Sequence, residues 1–168
     1  MKNVLKISDD SGFVGIVNAS KYKSFIKEDW NFKDIQERVI QEMNNGNLLF
    51  WSSGREGIWN VKVTTDNEEH KSIRTFNGFI TVTDNSLCLI NYEDLSMAAQ
   101  YEDESLPQKH NADLKFQVAN GIYNVTVNQL FDPASATTNA ILHFEIILKA
   151  SAYNSSLNNF NRIKWMNE

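Results

Sequence analysis

The 168 residues contain one cysteine, two prolines and seven glycines, and each scarcity removes a class of answer. Cys88 can close no internal disulfide, so the chain does not read as a crosslinked secreted scaffold, and a reducing, cytoplasmic setting is the expectation. The glycines are scattered, and neither G-x-x-x-x-G-K nor G-x-G-x-x-G occurs, so the familiar phosphate cradles are missing. No run of eighteen apolar residues exists to span a membrane. The opening "MKNVLKISDDSG" lacks the apolar region and small-residue site of a signal peptide.

Catalytic and metal chemistry is equally thin. His70, His110 and His143 fall on a turn, a loop and the last strand, with no two at a ligand spacing, so no metal or other cofactor is expected. The acidic run Glu102-Asp103-Glu104 lacks the alternation and glycine of a calcium loop. No G-x-S-x-G elbow occurs. Cys88, within "SLCLIN", reads as a small core hydrophobe in the most acidic third, the wrong setting for a reactive thiolate. The chain is read as a non-enzyme.

What is present is an ordinary globular composition, 42% apolar and 22% charged, in a length that suits one domain over 1–168. The charge is unevenly placed. Residues 1–65 carry nine basic and eight acidic side chains and residues 105–168 five and four, whereas residues 66–104 carry nine acids against Lys71 and Arg74. The net charge of −5 is therefore −7 in the middle third and +1 in each flank. Such a surface repels nucleic-acid phosphates and attracts basic proteins.

The hydrophobic periods predict a mainly β fold, an antiparallel sandwich or open barrel. "FVGIVNA" (13–19) reads as an early strand. A helix over about 31–44 starts at the N-cap Asn31, with Asp34 in its first turn, an apolar stripe of Ile35, Val39, Ile40 and Met43, and Asn44-Asn45-Gly46 as its stop. Three hairpins are expected next: "NLLFWSSGREGIWNVKVTT", "SIRTFNGFITVTDNSLCLINY" and "DLKFQVANGIYNVTVNQLF", the last around Asn120-Gly121. "ILHFEIILKAS" is a final strand. A short helix over about 94–101 joins the second and third hairpins. The polar tail, 152–168, keeps Phe160, Ile163 and Trp165 as groups that favour docking.

Two features point outward. The acidic knot Glu102, Asp103 and Glu104 follows the short helix, where the dipole prefers cations, so local stability does not explain it. With Glu93 and Asp94, and with Asp66, Glu68 and Glu69 from a turn, it forms the expected partner-binding surface. Trp51 borders the "SSGREG" turn beside Arg55, the chemistry of an interface hot spot. The bland readings are a solvated acidic loop that aids solubility and a turn-flanking tryptophan in the core.

The order of the parts resembles a known layout. Asp29-Trp30 precedes the helix, Gly46-Asn47 follows it, and the segment from Leu114 to Tyr123 ends in an "NGIYNV" turn. Across roughly residues 13–150 this is similar to the small β-sandwich inhibitors of the DNA-entry nuclease of bacterial competence and to related immunity proteins. The acidic insert and the tail have no counterpart in that pattern. The resemblance implies a bacterial, catalytically blank immunity protein, of the kind also met in contact-dependent inhibition. It would bind and neutralise a cognate toxin, a basic nuclease domain, by occluding its active site. The alternative is a carbohydrate- or small-ligand-binding β-sandwich module or enzyme.

Overall fold

A computed structural model describes residues 2–23, 31–66, 71–135, 140–151 and 158–167. They fold as a two-sheet β-sandwich with no closed barrel. The strands are β1 (Lys2–Asp9), β2 (Phe13–Val17), β3 (Leu48–Ser52), β4 (Gly57–Thr64), β5 (Arg74–Val82), β6 (Ser86–Asn91), β7 (Lys115–Gln117), β8 (Gly121–Gln129) and β9 (Phe144–Ala150). Helix α1 (Phe32–Asn44) links β2 to β3, and α2 (Tyr92–Gln100) follows β6. One sheet runs β1-β4-β9-β8-β5 and the other β3-β2-β6-β7. All neighbours are antiparallel except β4 and β9, which run parallel with Lys62 beside Glu145.

None of the three expected hairpins forms. In each the turn carries the chain from one sheet to the other, as does the short turn between β1 and β2. The strands then pair across crossings: β1 with β4 and β2 with β3 in one unit, β5 with β8 and β6 with β7 in the second. The two units join through β2 and β6, and through β9 inserted between β4 and β8.

The physical reason lies in burial. A hairpin arm keeps one wet face, whereas "LLFW" and all of "SLCLIN" are buried. Trp51 packs on Phe76 and Phe144 of the opposite sheet, at ring-centroid distances of 5.8 and 5.9 Å. The other face of its sheet lies under α1 and α2, which bury Ile35, Val39 and Met43, and Leu95, Ala98 and Ala99. A strand covered on both faces needs continuous apolar sequence, as these have.

Polar side chains fasten the crossings in pairs. In the second unit the backbone N–H of Asn85 donates to Asn120 Oδ1 (2.7 Å), and Asn120 N–H returns a bond to Asn85 Oδ1 (3.3 Å). The sequence signature at α1 holds: Asn31 and Asp34 form a reciprocal capping box. Gly46 ends the turn after α1 at φ +71°, and a Cβ there would sit 2.2 Å from the Phe79 ring, so the site demands glycine on both counts.

The C-terminal segment lies along the open side between the edge strands β3 and β5. Phe160, Ile163 and Trp165 are buried there. The backbone N–H of Ser52 donates to Lys164 O (2.9 Å), and Arg74 lies over the Trp165 ring at 4.4 Å. Asn158 joins α1 to β5 by donating to Met43 O and Phe79 O and accepting from Phe79 N–H. Among the described residues no helix is long and apolar enough to cross a membrane.

Candidate protein-binding face

The surface of interest is built on a buried carboxylate at the end of β1. Asp9 is fully buried and ties the first pair of crossings together. Its Oδ1 accepts from the backbone N–H of Ser11 (3.1 Å), Gly12 (2.8 Å) and Phe13 (3.0 Å), which fixes the turn between β1 and β2. Its Oδ2 accepts from Trp59 Nε1 (3.0 Å) and lies 2.8 Å from the Ser53 hydroxyl on the neighbouring crossing. Backbone adds one more tie, Ser53 N–H to Gly12 O (2.9 Å).

The two fastened turns border an open cleft of about 500 Å³, lined by Ser11, Gly12, Phe13, Ser52, Gly54, Arg55 and Glu56. Arg55 lines it but is turned toward the protein. Its guanidinium lies 5.8 Å from the Trp59 ring centre and 5.6 Å from that of Phe131, and Nη1 donates to Ser135 O (2.7 Å). Glu93, in the first turn of α2, adjoins the cleft through Ser11. Burial raises its pKa above the usual carboxylate range and the charges of Asp9 and Asp10 add to this, while its own backbone and the Ser11 hydroxyl oppose the rise. One Glu93 carboxylate oxygen is buried with no hydrogen-bond partner.

From the cleft an aromatic row runs outward over the start of both helices. Phe13 stacks on Phe50 (5.8 Å) and meets Tyr92 (6.4 Å), which meets Phe32 (6.1 Å). Phe32 is 44% exposed. Glu93, Met97 and Tyr101 fall four apart in sequence: Met97 on α2 and the extended cap residue Tyr101 are exposed, while Glu93 is half-buried. The stripe spans about 12 Å at the rise of an α-helix and delivers the chain to the exposed Glu102 and Asp103. Among the described residues neither of those carboxylates pairs with a cation. Glu104 is half-buried and accepts from Gln108 Nε2 (3.3 Å).

The sequence-predicted residues thus divide. Glu93, Glu102, Asp103, Glu104 and Arg55 lie along one run, from the cleft to the far end of α2. Asp66 is exposed but lies beyond the opposite end of β4, about 23 Å of strand from the cleft. Glu68 and Glu69, like Asp29, Trp30 and His70, are outside the described residues.

Two placements correct the expectation. Trp51 is 0% exposed and belongs to the core, because β3 is covered on both faces. Asp94 is 1% exposed: α2 turns it inward, where Oδ2 accepts from Asn111 Nδ2 (2.9 Å) and Oδ1 lies 3.8 Å from His110 Nε2. It anchors the loop and presents nothing outward. Sequence reading missed Phe32, Tyr92, Met97 and Tyr101. The four-residue spacing of Met97 and Tyr101 was visible, but an apolar residue at helical spacing ordinarily faces the core.

Cys88 is buried, and burial pushes its thiol up to about 12. Among the described residues no three metal-ligating side chains converge. On the far sheet a second hollow, of about 440 Å³, is bordered by Asn77, Asn124, Thr126, Asn158 and Phe160. Its amides are partly committed: Asn77 Oδ1 accepts from Thr126, and Asn158 is the link already described.

No family model matches the chain, and no curated protein matches it. Two solved structures are similar to it. One, described as crocagin biosynthetic gene J, shares 12% identity with a TM-score of 0.57, over 88% of this chain and 94% of that one. The other is ComJ of Bacillus subtilis, inhibitor of the DNA degrading activity of NucA, at 15% identity and a TM-score of 0.49, over 88% and 93%. A competence nuclease inhibitor, of the kind the sequence resembles, is thus one of the two. At 12% identity the likeness to the first concerns the fold alone.

Proposed function

We propose that this chain is a non-enzymatic inhibitor that binds a basic protein, a nuclease toxin, and occludes its active site through the α2 face. The observation that carries the reading is the pair Glu102 and Asp103. They are exposed at the C-terminal end of a helix that has no basic residue in its last turn, and no cation among the described residues compensates them. The helix dipole disfavours carboxylates there, so they cost the fold something and serve nothing inside it. A nuclease cleft lined with Lys and Arg to hold phosphates is the complementary surface. Tyr101 and Met97 add apolar area beside the charges, as a stable interface requires.

The test replaces Glu102, Asp103 and Glu104 together by Ser and measures association with the cognate nuclease of this proposal, at low and high salt. The expected result is about a tenfold slower association at low salt, with the difference shrinking as salt rises. An intact fold with unchanged rate and unchanged salt dependence refutes it. The amide-bordered hollow on the far sheet favours a second reading, a neutral polar ligand such as a saccharide. Saturable binding of oligosaccharides there, with no protein captured, would replace the first.

A further inference from the structure

Four strands lie at sheet edges, and three of them are occupied or short. On β3, Ser52 N–H donates to Lys164 O. On β5, Thr81 N–H donates to Gly46 O, and the Asn158 amide bonds both backbone groups of Phe79. β7 is three residues long. β1 is the exception, an edge of eight residues. A long unpaired edge is a template for another strand, so folds ordinarily cover it or cut it short.

Which backbone groups of β1 face outward follows from its neighbours. Asn60, opposite Lys6, turns both of its own to His143: the N–H donates to Nδ1 (3.0 Å) and the C=O accepts from His143 N–H (2.9 Å). A strand residue points its N–H and C=O to the same side, so Lys6 and Asn60 are a non-hydrogen-bonded pair and Lys6 points away from β4. Ser8 agrees, because its C=O accepts from Asn91 Nδ2 (3.0 Å) of the other sheet. Alternation adds Val4 to the outward set. The segment Lys109–Leu114 packs near β1, but among the described residues no bond from it reaches the backbone of Val4 or Lys6. The Val4 side chain is 62% exposed, on the outer sheet face that it shares with exposed Ile58.

We infer that β1 pairs with β1 of a second copy of this chain, antiparallel about a two-fold axis at Leu5, so that two five-stranded sheets join into one. Outward residues must meet outward residues, which allows an axis at Val4, Leu5 or Lys6. An axis at Lys6 sets that lysine against its own copy and needs the Ser8 C=O that Asn91 already holds. An axis at Val4 leaves Ser8 unmatched and shortens the overlap. At Leu5, the overlap runs from Lys2 to Ser8, and Val4 and Lys6 exchange both backbone bonds with Lys6 and Val4 of the copy. The lysine stem then covers the exposed valine, and half-buried Leu5, at the rim of the core, meets its own copy on the inner face. In this register the strand is its own complement, which identifies the occupant. The two-fold uses up both edges, so assembly stops at the dimer. The pairing requires no nuclease.

Sedimentation of the full chain across about 5–500 µM tests it. Two paired strands make a small interface, so a dissociation constant on the order of 50 µM is expected. Val4→Pro removes one outward N–H and no bond to β4, a change that an edge strand tolerates, and should weaken the dimer about tenfold. Leu5→Cys should give a disulfide-linked dimer under mild oxidation, since Cα atoms of a non-hydrogen-bonded antiparallel pair stand about 4.5 Å apart, within disulfide reach. Lys6→Cys should not, and the native Cys88 is buried. Should Val4→Pro fail to fold, the two cysteine variants decide. A monomer at every concentration, a dimer indifferent to Val4→Pro, or linkage at Lys6→Cys in place of Leu5→Cys overturns the pairing.

Discussion

Replacing Asp9 is the most informative single perturbation of this fold, because one carboxylate joins two crossings and shapes the cleft. Asp9→Ala strips the acceptor from six donors, of which Gly12 N–H and Trp59 Nε1 are left buried, while the Ser53 hydroxyl keeps Arg55 O at 2.7 Å. At about 1.5 kcal/mol for each buried donor left unpaired, the loss is about 3 kcal/mol. That is a large share of the roughly 5–15 kcal/mol by which domains are stable, and it corresponds to a fall of about 6–12 °C in melting temperature at this size. Asp9→Asn separates the two halves of the role. Its oxygen can still accept from the Ser11–Phe13 backbone, but its amide turns a donor toward the Trp59 donor, so about half of the loss should remain.

Chemical denaturation of both variants, with a constant dependence on denaturant, gives the values. Trp59→Phe supplies the control, for it removes one donor, and the cost of Asp9→Ala should fall by about 1 kcal/mol in that background. An alanine variant within 1 kcal/mol of the parent, or an asparagine variant worse than alanine, would show that the turn is held by something other than this carboxylate.

The burial of Cys88 predicts no reaction of the folded chain with a thiol reagent at pH 8, and full reaction once unfolded. Its raised pKa gives stability that is complete below the unfolded thiol value and is lost as the pH climbs toward about 12, so Cys88→Ala should flatten that decline. Glu93 has the same sign at lower pH: its raised value means stability falls as the pH rises through the carboxylate range, and Glu93→Gln should remove that slope in a denaturation series across pH. Lys62 and Glu145 form a buried pair at 3.0 Å; Glu145→Gln should cost about 3 kcal/mol by denaturation, and Lys62→Met with Glu145→Leu should recover most of it.

How much of this was legible in the sequence is clearest at the turns. Asn120-Gly121 and the glycines of "SSGREG" correctly announced that the chain bends. A turn residue supplies a permissive φ, and the bend within a sheet and the bend between sheets use the same chemistry. What distinguishes them is whether the flanking strands have one buried face or two. "SLCLIN" and "LLFW" already stated the answer, since a run without alternation cannot keep one face wet. The hairpin reading put weight on the turn and too little on the run.

Trp51 follows from that error: in a hairpin it stands at a loop edge, whereas in a crossing it fills the space between the sheets. β1 was missed for a different reason. Only Leu5 and Ile7 alternate inward before Asp9, too short a pattern to read without its partner β4. The candidate site has the same limit in stronger form. Acidic residues 102–104 are visible as composition, but the cleft exists only because Asp9 and Ser53, distant in sequence, meet at the ends of paired crossings. A surface assembled by long-range pairing leaves no local pattern. The sequence shows charge, and the fold decides which charges share a face: Glu93 joins the acidic loop, while Asp94, one residue along, is turned to the interior by the helical rotation of about 100° per residue.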